Sequence, residues 1–216
     1  MHKFQHPQPK RPQYSPHPAP EPQFGTKAQN LSPSDQSPLL DDEGKTFIRQ
    51  VTGSFLFYAQ MIDNTMLKAL KKIDRKQDKP TMLTKKWTQQ LLDYAATYPN
   101  TSIRYYKSDM ILKQYSDSSY NNEENARSSY GGYFFLGWNQ PDNEQVRLNG
   151  ALLAEVNVLK LVAASAAESE LGALFKNMQR GVILRLTSQE MGHPQPPTDV
   201  WIDNTTTHGI ANSTFK

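Results

Sequence analysis

The sequence predicts an α/β chain: a mixed sheet with helices packed on it, preceded by a small helical unit. Three observations carry this. Apolar residues recur at three- and four-residue spacing between residues 44 and 98, short aromatic and β-branched runs follow between residues 103 and 158, and a long helical pattern then leads into one more β-leaning run. Strand, helix and strand in that order imply a parallel crossover, whereas the three earlier strands, joined by short connections, imply an antiparallel meander. The 216 residues suffice for one medium domain or two small ones.

Nine of the 15 prolines fall within residues 1–40, among Gln, Ser and His with few large apolar groups. Such a segment cannot bury enough surface to offset its chain entropy, so residues 1–43 are expected to form a disordered or polyproline-like tail. A ligand for an aromatic-lined groove is the functional alternative.

In residues 44–61, Phe47, Ile48, Val51, Phe55 and Ala59, continued by Ile62, line one face of a helix. Met66, Leu67, Leu70 and Ile73 support a second helix, and Leu83, Trp87, Leu91, Leu92 and Ala95 a third that Pro99 ends. Residues 44–99 thus form the helical unit, with no catalytic group evident in it. Lys68, Lys71, Lys72, Arg75, Lys76, Lys79, Lys85 and Lys86 face only Asp74 and Asp78, a local charge of +6 in a chain whose net charge is +3. This stretch is either a solvated linker or a patch that contacts phosphates.

Residues 103–115 are rich in Ile, Tyr and Leu, reading as one or two strands that stop at the polar turn Ser116-Asp117-Ser118-Ser119. Residues 131–137 form a short aromatic strand bounded by glycines, a turn follows at Pro141-Asp142-Asn143, and residues 151–158 supply a third strand. The long helix spans residues 165–190, and Pro194, Pro196 and Pro197 forbid its continuation. Residues 198–203 read as the parallel strand and 204–212 as the start of another helix.

The apolar stripe of the long helix runs through Ala163, Ala166, Ala167, Leu171, Leu174, Phe175, Met178 and Val182, and Glu170 completes it. A carboxylate is therefore expected to face the sheet, with Glu168 near the solvent side. An inward carboxylate needs a cation, from the protein or a metal, or a place at the rim of the core. Asp117 and Asp203 each follow a strand. Singly, either is an ordinary turn-forming Asp; on two parallel strands they come to the same sheet edge, where the first turns of the helix would add Glu170. Three hard oxygen donors suit Mg²⁺ or Mn²⁺, the ions used in two-metal phosphodiester hydrolysis.

Other chemistries are excluded. The absence of Cys removes a disulfide scaffold, a thiolate zinc site and a Cys nucleophile, and the five His show no metal-ligand spacing. Neither a Gly-rich phosphate loop nor a nucleophile elbow occurs. The most apolar stretch, 150–167, is interrupted by Glu155 and Lys160, which argues against a membrane span, and the first residues lack the apolar core of a secretory signal. An intracellular location, cytoplasmic or nuclear, is the resulting expectation.

The order strand-Asp, aromatic Gly-Tyr strand, helix-Glu, strand-Asp resembles the ribonuclease H domain of copia-type retrotransposon polyproteins. Ser116-Asp117-Ser118-Ser119-Tyr120 is similar to the family's Ser-Asp-Ala-Asp-Trp element, and Arg127-Ser128-Ser129-Tyr130-Gly131-Gly132-Tyr133 to its Arg-Lys-Ser-Thr-Ser-Gly-Tyr strand entry. Ser165-Ala166-Ala167-Glu168-Ser169-Glu170 is similar to Ser-Ser-Thr-Glu-Ala-Glu, whose second Glu is a metal ligand, and Ile202-Asp203-Asn204 to Cys-Asp-Asn. Upstream, residues 51–58, Lys86-Trp87 and Leu91-Leu92-Asp93-Tyr94 resemble the helical connection that precedes this domain, so the resemblance covers residues 44–216.

The resemblance implies a ribonuclease H-like domain over residues 100–216 that cuts the RNA strand of an RNA–DNA hybrid. Asp117, Glu170 and Asp203 would be its catalytic metal ligands, and the basic stretch would grip hybrid backbone. Three departures qualify it. No Tyr-x-Asp-Asp element of a reverse transcriptase occurs; Ser119 stands where the first motif has its second acid; and the fourth carboxylate that the family pattern calls for falls beyond Lys216, so the domain is expected to be C-terminally incomplete. A remnant that binds nucleic acid without cutting it is the alternative.

Overall fold

A computed structural model describes residues 4, 6–18, 35–140 and 144–213, the side chain of Glu124 excepted. The chain divides into two compact units that part between Ile103 and Arg104.

The first unit is helical. Helix α1 (Asp42–Met61) starts at Asp41, whose carboxylate accepts the Gly44 N–H, and buries Ile48, Val51 and Ala59. A single 3₁₀ turn (Asn64–Met66) leads into α2 (Leu67–Asp74), and α3 (Met82–Thr97) opens on a reciprocal cap between Thr81 and Thr84. Met66, Leu67, Leu70 and Ile73 join Leu91 and Leu92 in its core, four of them from the run that predicts the second helix. Residues 6–18, expected within the tail, carry no regular secondary structure but are tied to α3. His6 Nε2 lies 2.7 Å from Asp93 Oδ1, the Gln8 side chain donates to the Ala96 carbonyl, and the Gln90 amide donates to the Ser15 carbonyl. Residues 19–34 of that tail lie outside the described residues.

The second unit is α/β. Strands β1 (Ile111–Glu123), β2 (Arg127–Gly137) and β3 (Ala151–Val158) form the antiparallel meander, and helix α4 (Ala166–Glu190) crosses to β4 (Val200–Trp201), which pairs parallel to β1. The sheet order is β3-β2-β1-β4, and α5 (Thr205–Ala211) follows. The mixed four-stranded sheet with helices is the α/β class expected.

Three local expectations are corrected. Residues 103–110 are not a strand; the Asn149 side chain instead clamps them, accepting from the Tyr106 N–H and donating to the Tyr106 carbonyl. The polar run after Tyr115 is not a turn. It continues β1 through Asp117, which pairs with Gly131, and further along, side chains of β1 and β2 replace ladder bonds: Ser129 N–H donates to Asn122 Oδ1 and Asn121 N–H to Ser128 Oγ. The reversal comes later, where Asn121, Asn125 and Ala126 adopt positive φ.

The third correction concerns α4. Its buried face is Ser169, Glu170, Ala173, Leu174, Asn177, Gly181 and Ser188, whereas Phe175, Met178 and Val182 of the expected stripe are exposed. Small residues face the sheet because helix and strands approach closely: a Cβ on Gly132 would meet Asn177 Oδ1 at 2.5 Å, and one on Gly181 would collide with Gln114 Oε1.

Candidate metal centre

Each acid is placed by a different element. Strand β4 pairs only with Gln114 and Tyr115, so β1 runs on past it, and Asp117 stands beyond the last parallel pair. Asp203 lies just after β4, directly before Asn204, whose side chain caps α5 by accepting the Thr207 N–H. Thr207 in turn donates to the Ala167 carbonyl, which ties α5 to the first turn of α4. Glu170 occupies the second turn of α4, on the face turned to the sheet. Ser165 caps the helix through the Glu168 N–H, and Glu168 reaches back to accept from Ala164 N–H at 2.6 Å; it is exposed, as the helical angle predicts.

The result is a cluster: one carboxylate oxygen from each of Asp117, Glu170 and Asp203 lies within 4.8 Å of the others. Asp117 and Asp203 are exposed, but Glu170 is only 5% exposed. Its Oε1 accepts the Ser118 N–H at 3.0 Å and the Ser118 hydroxyl at 2.9 Å, while its Oε2 is buried without a hydrogen-bond partner. Burial raises the Glu170 pKa and the charges of Asp117 and Asp203 push the same way, against the lowering effect of the Ser118 bonds.

An orphaned buried carboxylate oxygen beside two further carboxylates is what a cation would satisfy. Oxygen-only donors with solvent access on one side fit a hard divalent ion that keeps part of its water shell. Sequence reasoning did not find Ser118 and Ser169, whose hydroxyls lie 2.8 Å apart beside Glu170. The only signal for them is position, each Ser being the immediate chain neighbour of an acid in the cluster.

The basic residues belong to the first unit. Lys68, Arg75, Lys79 and Lys86 are exposed, while Lys71, Lys72, Lys76 and Lys85 are half-buried. Lys72 Nζ sits 4.5 Å from the centre of the Trp87 ring, so part of the apparent linker charge is engaged in a cation–π contact. No helix among the described residues is long and apolar enough to cross a membrane.

Fold and site together define an α/β protein whose acidic triad could hold a metal ion. No family model, curated protein or solved structure matches the chain.

Proposed function

We propose that the second unit is a ribonuclease H-like domain of a copia-type retroelement polyprotein, hydrolysing the RNA strand of RNA–DNA hybrids with Mg²⁺ or Mn²⁺. The observation that carries this is the meeting of Asp117, Glu170 and Asp203 within 4.8 Å, from three elements far apart in sequence. The resemblance of the four motifs supports the same reading. A bound divalent ion supplies Lewis-acid stabilisation of the phosphate and lowers the pKa of water. Asp117 and Asp203, open to solvent, hold the ion where a phosphodiester can reach it; Glu170 completes the cluster from the buried side. Lys68, Lys71, Lys72, Arg75, Lys76, Lys85 and Lys86 contact backbone, which positions a hybrid without reading its sequence. Selectivity then comes from duplex shape and 2′-hydroxyls.

The test is incubation of the chain with a labelled hybrid, with and without Mg²⁺, beside Asp117→Asn. Metal-dependent cutting that the variant loses is the expected result. Salt-sensitive binding with no cutting in either protein supports the second reading, a non-catalytic remnant, which the +6 stretch favours because phosphate contact needs no metal.

A further inference from the structure

Two donors from one residue converge on a single oxygen of Glu170. The Ser118 N–H and hydroxyl both point at Oε1, at 3.0 and 2.9 Å, and the same hydroxyl lies 2.8 Å from Ser169 Oγ. A hydroxyl has one proton to give, and the carboxylate is the stronger acceptor. Ser118 therefore donates to Glu170 and accepts from Ser169, which is fully buried on α4. With two donors on Oε1, its lone pairs are used, and Oε2 is the oxygen left for a cation.

We propose that Ser118, backed by Ser169, is a positioning residue that locks Glu170 into one-oxygen coordination and so sets the triad's preference for a small octahedral ion over Ca²⁺. This rests on the metal-centre reading above. Mg²⁺ is satisfied by one or two single carboxylate oxygens plus water at about 2.1 Å, whereas Ca²⁺ takes about six to eight oxygens and commonly a two-oxygen carboxylate. A Glu170 pinned through Oε1 cannot supply that second oxygen.

The experiment is Mn²⁺ titration of the full chain followed by electron paramagnetic resonance, with Mg²⁺ and Ca²⁺ as competitors, for wild type, Ser118→Ala, Ser118→Thr and Ser169→Ala. Wild type should bind Mn²⁺ and release it to Mg²⁺ in preference to Ca²⁺. Ser118→Ala should bind Mn²⁺ roughly 10-fold or more weakly and lose most of the Mg²⁺-over-Ca²⁺ preference. Ser118→Thr, which keeps the hydroxyl, should retain both. Ser169→Ala should show a smaller change of the same kind and carries the test if Ser118→Ala fails to fold by circular dichroism. Unchanged affinity and preference in both alanine variants, or an equal loss for all three ions, overturns the positioning role while the metal centre stands. Absence of Mn²⁺ binding by wild type overturns the metal centre itself, and the role of Ser118 with it.

Discussion

Glu170 illustrates how one residue couples the site to the fold. Its pKa is raised, chiefly by burial, so the folded state holds the proton more tightly than the unfolded chain. A raised carboxyl contributes stability that is fully present below its unfolded value of about 4.5 and is lost as pH rises through the folded one. In chelator, the melting temperature of wild type should therefore fall as pH climbs from 4.5 upward, and Glu170→Gln should flatten that slope. Adding Mg²⁺ at neutral pH should recover stability, by about 2.7 kcal/mol at 100 times the dissociation constant, in wild type and not in Glu170→Gln. Melts that show the same pH slope in both proteins would remove Glu170 from the linkage. The inward carboxylate was legible in the sequence because Glu170 shares a helix face with Leu174, a member of the expected stripe that is buried, while helical geometry sets Glu168 on another face. The Ser118 bonds were not, because no periodicity reports which hydroxyl lies beside which acid.

At the scale of elements, α4 shows where pattern reading succeeds and where it fails. Its length and start follow from the Ser165 cap and the proline cluster after it, both local chemistry. Its buried face does not follow from hydrophobicity. Ala173, Asn177 and Gly181 pack against the sheet because their small or hydrogen-bonding side chains let the helix lie close, and Asn177 Nδ2 bridges Ser116 Oγ and the Gly131 carbonyl, each at 2.8 Å. A stripe chosen for large apolar residues selects Phe175, Met178 and Val182 instead, which are at least half exposed. The same local blindness ends the expected strand at Tyr115, since Asp, Ser and Asn read as turn residues until a partner strand supplies their hydrogen bonds. Two substitutions separate the faces. Gly132→Ala, whose Cβ would press on Phe134 Cε2 at 2.8 Å as well as on Asn177, should cost about 1–3 kcal/mol in chemical denaturation. Val182→Thr on the outer face should stay within roughly 0.5 kcal/mol of wild type.

For the molecule as a whole, charge and acid chemistry reside in different compact units, the basic stretch in the helical one and the triad in the α/β one. The antiparallel meander and the parallel crossover were legible in the sequence because connection length and the Pro-rich stop after α4 restrict the topologies available, but which strand β4 joins was not. On the proposed function, this division makes hybrid binding and cutting separable by mutation. Lys68→Glu and Lys86→Glu, at exposed positions of the first unit, should weaken hybrid binding and lower the slope of log affinity against log salt by about 1 for each phosphate that is no longer neutralised. Because neither residue belongs to the cluster within 4.8 Å, Mn²⁺ affinity should be unchanged in both variants. Asp117→Asn should do the reverse, abolishing metal-dependent cutting while leaving the salt slope intact. If charge reversal leaves the salt slope of wild type in place, the +6 stretch is a solvated face and the phosphates are held by other residues.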